Sequence, residues 1–262
     1  MTTIIKAELI RLVRKPFVMI AGLGTLLFGF VAALAVFSSA RETGTTSRRE
    51  GTTFAALTGH GGATEAFAVG ASFTGFLVFV TFIALIAAEF SGGTFRSLLM
   101  RNPHRIKVLA GKLVGVLLVA AAVLAVAELW TTVASLILAP SKDVSTANWF
   151  SLAGAVDGIR DYATVFCGVA GWAMFGTLLA VIFRSAPIAL GVGFVWAGPF
   201  ENITSRSWET GYRVFPGQVL ASLIEGGSAE LGLGRAIATA ALYVASAAAI
   251  AFTIVSRRDV TS

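Results

Sequence analysis

Apolar residues in this chain neither alternate nor recur on one face; they run in long blocks that no charge interrupts. A helix rising 1.5 Å per residue needs about 20 apolar residues to cross ~30 Å of hydrocarbon. Four uncharged blocks meet that length, at 17–40, 66–88, 163–183 and 236–256. A fifth, 113–139, is broken only by Glu128. A sixth, 186–200, is shorter, rich in glycine and ends in Gly198-Pro199, so a broken or tilted helix is expected there. The pattern predicts an all-α integral membrane protein, one domain over residues 1–262 with six transmembrane helices. The first block spans 24 residues, longer than the ~7–15 of a signal-peptide core, and is read as a retained anchor.

The segments between blocks differ in character. At 100° per residue, Ile5, Leu9, Leu12 and Val13 share one side of residues 1–16 and Arg11, Arg14 and Lys15 the other, with Ile4 and Ile10 off the stripe. That suits an amphipathic helix lying at the membrane surface; a plain positive leader orienting the first span is the alternative. Residues 41–65 are rich in Thr and Gly and read as a flexible excursion. In 201–235, Trp208, Tyr212, Phe215, Val219, Leu220, Leu223 and Ile224 alternate with polar residues. One or two short helices are expected there, at the interface or dipping back into the membrane.

Composition agrees: 56% of residues are hydrophobic and 13% charged, against about 25% charged in soluble domains. The single cysteine, Cys167, can form no intrachain bridge. The net charge of +6 would suggest nucleic acid in a soluble protein. Here its distribution matters more. Residues 1–16 carry +3 and 89–112 carry +4; with Arg184 and the tail Arg257-Arg258-Asp259 that side totals +9. The other three connections carry 0, −1 and −1. Basic loops stay inside, so both termini are expected in the cytoplasm of a multi-pass cell-membrane protein, with no nucleic-acid partner.

The segment 89–112 is the most specific. Its ordered residues Glu89, Gly93, Thr94, Arg96, Leu98, Leu99, Pro103, Arg105 and Lys112 resemble the hallmark of ABC-2 type transporter permeases: an acid closing the second span, Gly-Thr, a basic residue, paired leucines, Pro with Arg close behind, and Lys opening the third span. The resemblance implies the ABC-2 exporter fold and a permease subunit that pairs with a second permease, identical or related. It implies docking on cytosolic ABC ATPase subunits through the 89–112 coupling segment and the N-terminal helix. ATP and Mg would sit on those partners, with no cofactor on this chain. The cargo would be a hydrophobic or amphipathic drug, lipid or peptide. Physically, Leu98 and Leu99 could fill a partner's groove while Arg96, Arg101 and Arg105 fix register through ion pairs. Ordinary positive-inside charge is the alternative for those arginines. Gly92-Gly93 would let the chain turn sharply out of the second span.

Glu128 is the one acidic or basic residue deep in an expected span, where a charge costs ~2.5–3.5 kcal/mol. Two readings stand: a substrate- or proton-linked carboxyl, or a packing carboxyl bonded to a neighbour such as Trp130 or Thr131. Gly111 and Gly115 form a small-xxx-small pair that permits close helix contact. Phe73, Phe76, Phe79 and Phe82 recur every third residue, as a lipid face or seam rather than an aromatic drug site. His60 and His104 are the only histidines; one falls in an expected extracellular loop and the other in a cytosolic segment, so no paired-His zinc site and no intramembrane Ser-His arrangement is expected. No phosphate-binding loop exists, because Ile106 stands where the first Gly before Gly111-Lys112 would be required. The chain is therefore expected not to be catalytic alone. A stand-alone secondary transporter or channel is the competing class; it predicts repeats between halves, which the span spacing lacks.

Overall fold

The computed structural model describes residues 1–42, 44, 48, 51–101, 104–208 and 210–258, with Phe73, Arg96 and Arg101 described by their backbone alone. Among the described residues every regular element is a helix. The α-helices in chain order are α1 (Thr2–Leu12), α2 (Lys15–Ser39), α3 (Phe54–Thr58), α4 (Glu65–Ser91), α5 (Thr94–Arg101), α6 (Arg105–Leu138), α7 (Leu152–Phe183), α8 (Ala186–Val195), α9 (Glu201–Ser207), α10 (Gly211–Val214), α11 (Pro216–Ile224) and α12 (Leu233–Arg257), with short 3-10 helices at His60–Ala63 and Ala139–Lys142.

Among the described residues, five helices are long and apolar enough to cross a membrane: α2, most of α4, α6, α7 and α12. The sixth expected span is built differently. Helix α8 has 10 residues, followed by a π-helical turn over Trp196–Phe200 that contains Pro199, and then by α9. Proline has no N–H for the helical ladder and its ring crowds the preceding turn, which accounts for the wider turn there. Two long helices also exceed their expected bounds. Helix α6 starts at Arg105 and α7 at Leu152, so charged residues read as loop extend the helices instead.

Helix α7 is the centre of the bundle, packing on α4, α6, α8, α11 and α12. Glycines set how closely its neighbours come. A Cβ at Gly168 would lie 2.3 Å from Ile224 Cγ1, and one at Gly171 2.4 Å from Leu220 Cδ2, so α11 rests in a groove that only hydrogen leaves open. Helix α11 is accordingly buried, from Gly217 through Ile224 save Ala221. Helix α2 is the reverse: Gly29, Ala33, Val36 and Phe37 form its one buried seam, and Met19, Ile20, Leu23 and Leu27 are exposed.

Helix α1 lies across α6. The contact falls on Gly111 and Gly115, whose added Cβ atoms would come 3.0 Å from Ile4 Cγ2 and 2.9 Å from Glu8 Cβ. The protein-facing side of α1 is thus Ile4, Glu8 and Leu12, while Val13 and Ile10 are exposed. This differs from the expected stripe because the partner is a glycine notch with a lysine beside it, which rewards a carboxylate on the buried face. Residues 51–65 are also more ordered than their composition suggested: Leu57 in α3 is fully buried, and Trp149 Nε1 donates to its carbonyl at 2.8 Å.

Candidate functional site

Three side chains meet where α1, α4 and α6 converge. Lys112 Nζ donates to Glu89 Oε1 at 2.7 Å and to Glu8 Oε2 at 3.1 Å. All three residues are buried. Arg11, one turn after Glu8, also donates to Glu89 and lies 3.6 Å from Glu8 Oε1. That bond raises the Arg11 guanidinium above its usual pKa, against the opposing effect of burial. Two acids and two bases thus form a neutral cluster, the arrangement that makes buried charge tolerable. Glu89 closes α4 and Lys112 stands two turns into α6, so the cluster ties both ends of the 89–112 segment to the N-terminal helix.

The segment itself is a sharp turn and a short helix. Gly93 has φ +70°, a left-handed conformation that glycine adopts without Cβ strain. Thr94 opens α5 and is exposed, whereas Phe95 is buried with its ring 4.5 Å from that of Phe90. Leu98 and Leu99 are half-buried against this chain's own core, and Met100 is exposed. Arg105 Nη1 donates to the Arg258 carbonyl at 2.9 Å, and Arg258 Nη1 reaches the Ile182 carbonyl at 3.2 Å. The start of α6 and the ends of α7 and α12 are thereby stitched together. The Arg184 guanidinium stands 5.8 Å above the Phe90 ring. Pro103 and the side chains of Arg96 and Arg101 lie outside the described residues.

A second cluster lies at the other end of the bundle. Arg48 forks onto Asp161, Nη1 to Oδ1 and Nη2 to Oδ2, both at 2.8 Å, and its Nε donates to Glu65 Oε2 at 2.8 Å. Thr64 donates to Asp161 Oδ2 at 2.8 Å and Thr52 to Glu65 Oε1 at 3.2 Å. Desolvation pulls the Arg48 pKa down, but the bonds to Asp161 and the charge of Glu65 outweigh it and hold the guanidinium above its usual value. Nothing in the sequence pattern singled these residues out, since each read as an ordinary loop charge.

Glu128 lies near this second cluster. A Cβ at Gly158 would meet Glu128 Oε1 and Thr64 Cγ2, each at 3.6 Å. The neighbours expected to hold its carboxyl are engaged elsewhere: Trp130 Nε1 donates to the Leu26 carbonyl at 2.7 Å, and the Thr131 hydroxyl to the backbone carbonyls of Ala127 and Glu128. Among the described residues, no three His, Cys, Asp or Glu side chains gather to hold a metal ion.

An all-helical bundle with five helices fit to cross a membrane, and a buried charge cluster at each end, defines a helical membrane protein. Within that class, the chain belongs to the family described as protein of unknown function DUF2705, whose pattern matches residues 29–261. No curated protein matches it.

Proposed function

We propose that this chain is the permease subunit of an ABC-2 type exporter, with its ATPase on a separate chain and a second permease subunit beside it. The observation that carries this reading is the Glu8–Lys112–Glu89 cluster. It binds α1 to the helices on either side of α5, so a push on the short helix or on α1 moves α4 and α6 together. A partner that converts ATP binding into membrane motion needs such a rigid lever, and the ordered motif from Glu89 to Lys112 supplies its surface.

In this reading the chain crosses six times. The run from Ala186 through Ser207 is helical for 22 residues across its π-turn, about 33 Å at 1.5 Å per residue, enough to return across the ~30 Å core. The basic end, with Lys15, Arg105, Arg184 and Arg257, faces the cytoplasm together with both termini. The cargo, drug, lipid or peptide, is hydrophobic or amphipathic and leaves along the permease interface.

The test is co-purification of the full chain with the ATPases encoded beside it. A stable complex whose ATPase activity falls in Arg96→Glu and Arg105→Glu supports the reading. No associated ATPase, or activity indifferent to both substitutions, overturns it and favours a stand-alone transporter or channel.

A further inference from the structure

Three arginines converge at the basic end of the bundle, each from the end of a different long helix. Arg105 opens α6, Arg184 follows α7 and Arg258 follows α12. Backbone carbonyls hold two of them: Arg105 Nη1 donates to the Arg258 carbonyl at 2.9 Å, and Arg258 Nη1 to the Ile182 carbonyl at 3.2 Å. The third is set against a ring, its guanidinium 5.8 Å from the centroid of Phe90. Burial first, and then the positive charges of Arg258 and Arg105, lower the Arg184 guanidinium from its ordinary pKa. Arg184 thus stands within reach of both other cations.

Like charges brought together destabilise a fold, and an anion between them offsets that cost. The backbone at Arg184 adds a second cost. Its φ of +51° is left-handed, a conformation that helix ends usually give to glycine. The arginine is held there against the preference of both backbone and charge, a condition typical of ligand clamps. Its chemistry indicates the ligand. A planar guanidinium forks onto phosphate with paired N–H bonds, and donors arriving from three helices suit a group whose oxygens point in several directions. The position indicates which phosphate. Arg184 directly follows the uncharged block 163–183, and Arg258 stands two residues past the block 236–256. That is the depth at which lipid headgroups meet a helix that crosses the membrane. Beside the arginines in the chain, Ile106 and Ile188 are exposed, apolar surface from which a lipid gains and a free phosphate does not.

We propose that Arg105, Arg184 and Arg258 form a binding site for the headgroup phosphate of an anionic membrane lipid. The site stands on the geometry of this end of the bundle and does not rest on the export reading.

The experiment titrates the purified full chain, in a neutral detergent and without any ATPase, with phosphatidylglycerol or phosphatidylcholine, and reads bound lipid by native mass spectrometry. Phosphatidylcholine carries the same phosphate with a cation attached, which the arginines repel, so phosphatidylglycerol should bind at least about tenfold tighter. Arg184→Gly should remove most of that preference while the thermal midpoint holds or rises, because glycine relaxes the left-handed backbone. Arg258→Gln, whose carbonyl still accepts from Arg105, should also remove most of it. Lys6→Gln, which deletes an exposed cation from α1, should leave the preference intact. Equal binding of the two lipids by the wild type, or a loss in Lys6→Gln as large as in Arg184→Gly, overturns the proposal. So does inorganic phosphate that displaces phosphatidylglycerol at equal concentration, since that marks a site for a free anion. The wild-type comparison depends on no variant folding. Because no ATPase is present, failure here leaves the permease reading standing, and failure of co-purification leaves this site standing.

Discussion

Arg48 and Asp161, 113 positions apart, meet as two parallel charge-assisted bonds of 2.8 Å each. This fork closes the end of the bundle remote from the N-terminus, tying the 41–65 connection to α7. Fork geometry is something lysine cannot reproduce. Arg48→Lys should therefore lose most of the bond to Asp161 while retaining the charge. Asp161→Asn removes one of the two carboxylates that pair with Arg48, leaving Glu65 and the Glu225 carbonyl, and should lower unfolding stability by about 3–5 kcal/mol, the usual cost of breaking a buried pair. Thermal unfolding in detergent reads both; an Arg48→Lys variant as stable as the wild type would show that charge alone suffices.

Lys112→Met removes the cation that two buried carboxylates share. Glu8 and Glu89 would then rely on Arg11, which is half exposed, and stability should fall by about 3–5 kcal/mol. The loss is a like-charge effect, so adding Glu8→Gln to Lys112→Met should recover part of it. A double-mutant cycle measured by chemical unfolding decides between this and simple additivity. If the two substitutions merely add, the cluster is three independent contacts and no lever.

How far the sequence revealed this architecture follows from what each signal encodes. Uninterrupted apolar blocks located the long helices, because crossing hydrocarbon fixes length and polarity together. They missed where those helices end: Arg105 and Leu152 begin helices well outside the apolar runs, since a helix can continue into water at little cost. Glu89 and Lys112 were singled out by order in a motif, and they do meet. Glu8 carries no such signal, because pairing across 104 positions leaves no periodic trace. Asp161 and Arg48 were hidden for the same reason. Gly111 and Gly115 did point to close helix contact; that the partner is α1 required the fold.

Glycine substitutions on α7 and α2 should have opposite effects. Gly171→Ala forces a methyl against Leu220, whose Cδ2 would be 2.4 Å away, and overpacking of this kind costs about 1–3 kcal/mol. Gly24 has nothing within 4 Å of its would-be Cβ, and replacing a mid-helix glycine by alanine gains about 0.5–1 kcal/mol. Thermal midpoints of the two variants in the same detergent should move in opposite directions. A fall for Gly24→Ala comparable to that for Gly171→Ala would mean that another surface covers α2.

Helix α2 packs along α6 and α4, and its contact with α6 has an anchor that can be tested. Trp130 Nε1 donates to the Leu26 carbonyl at 2.7 Å, and the ring lies over Gly29, where a Cβ would stand 2.8 Å from Trp130 Cδ1. Below this point the buried seam runs through Ala33, Val36 and Phe37; above it, α2 presents only exposed or half-exposed residues. The Trp130–Leu26 bond thus lies where the buried seam of α2 ends. Trp130→Phe keeps most of the ring and deletes the donor. The Leu26 carbonyl still accepts its own helical bond, so no acceptor is orphaned, and the stability loss should be about 1 kcal/mol, that of one net hydrogen bond. The local effect should be larger than the global one: amide exchange over residues 22–30 should speed up while exchange in α7 stays unchanged. Gly29→Val, which pushes the ring off its seat, should reproduce that pattern with the donor intact. If exchange rises equally in α7, the contact supports the whole bundle and α2 is not a separately mobile element.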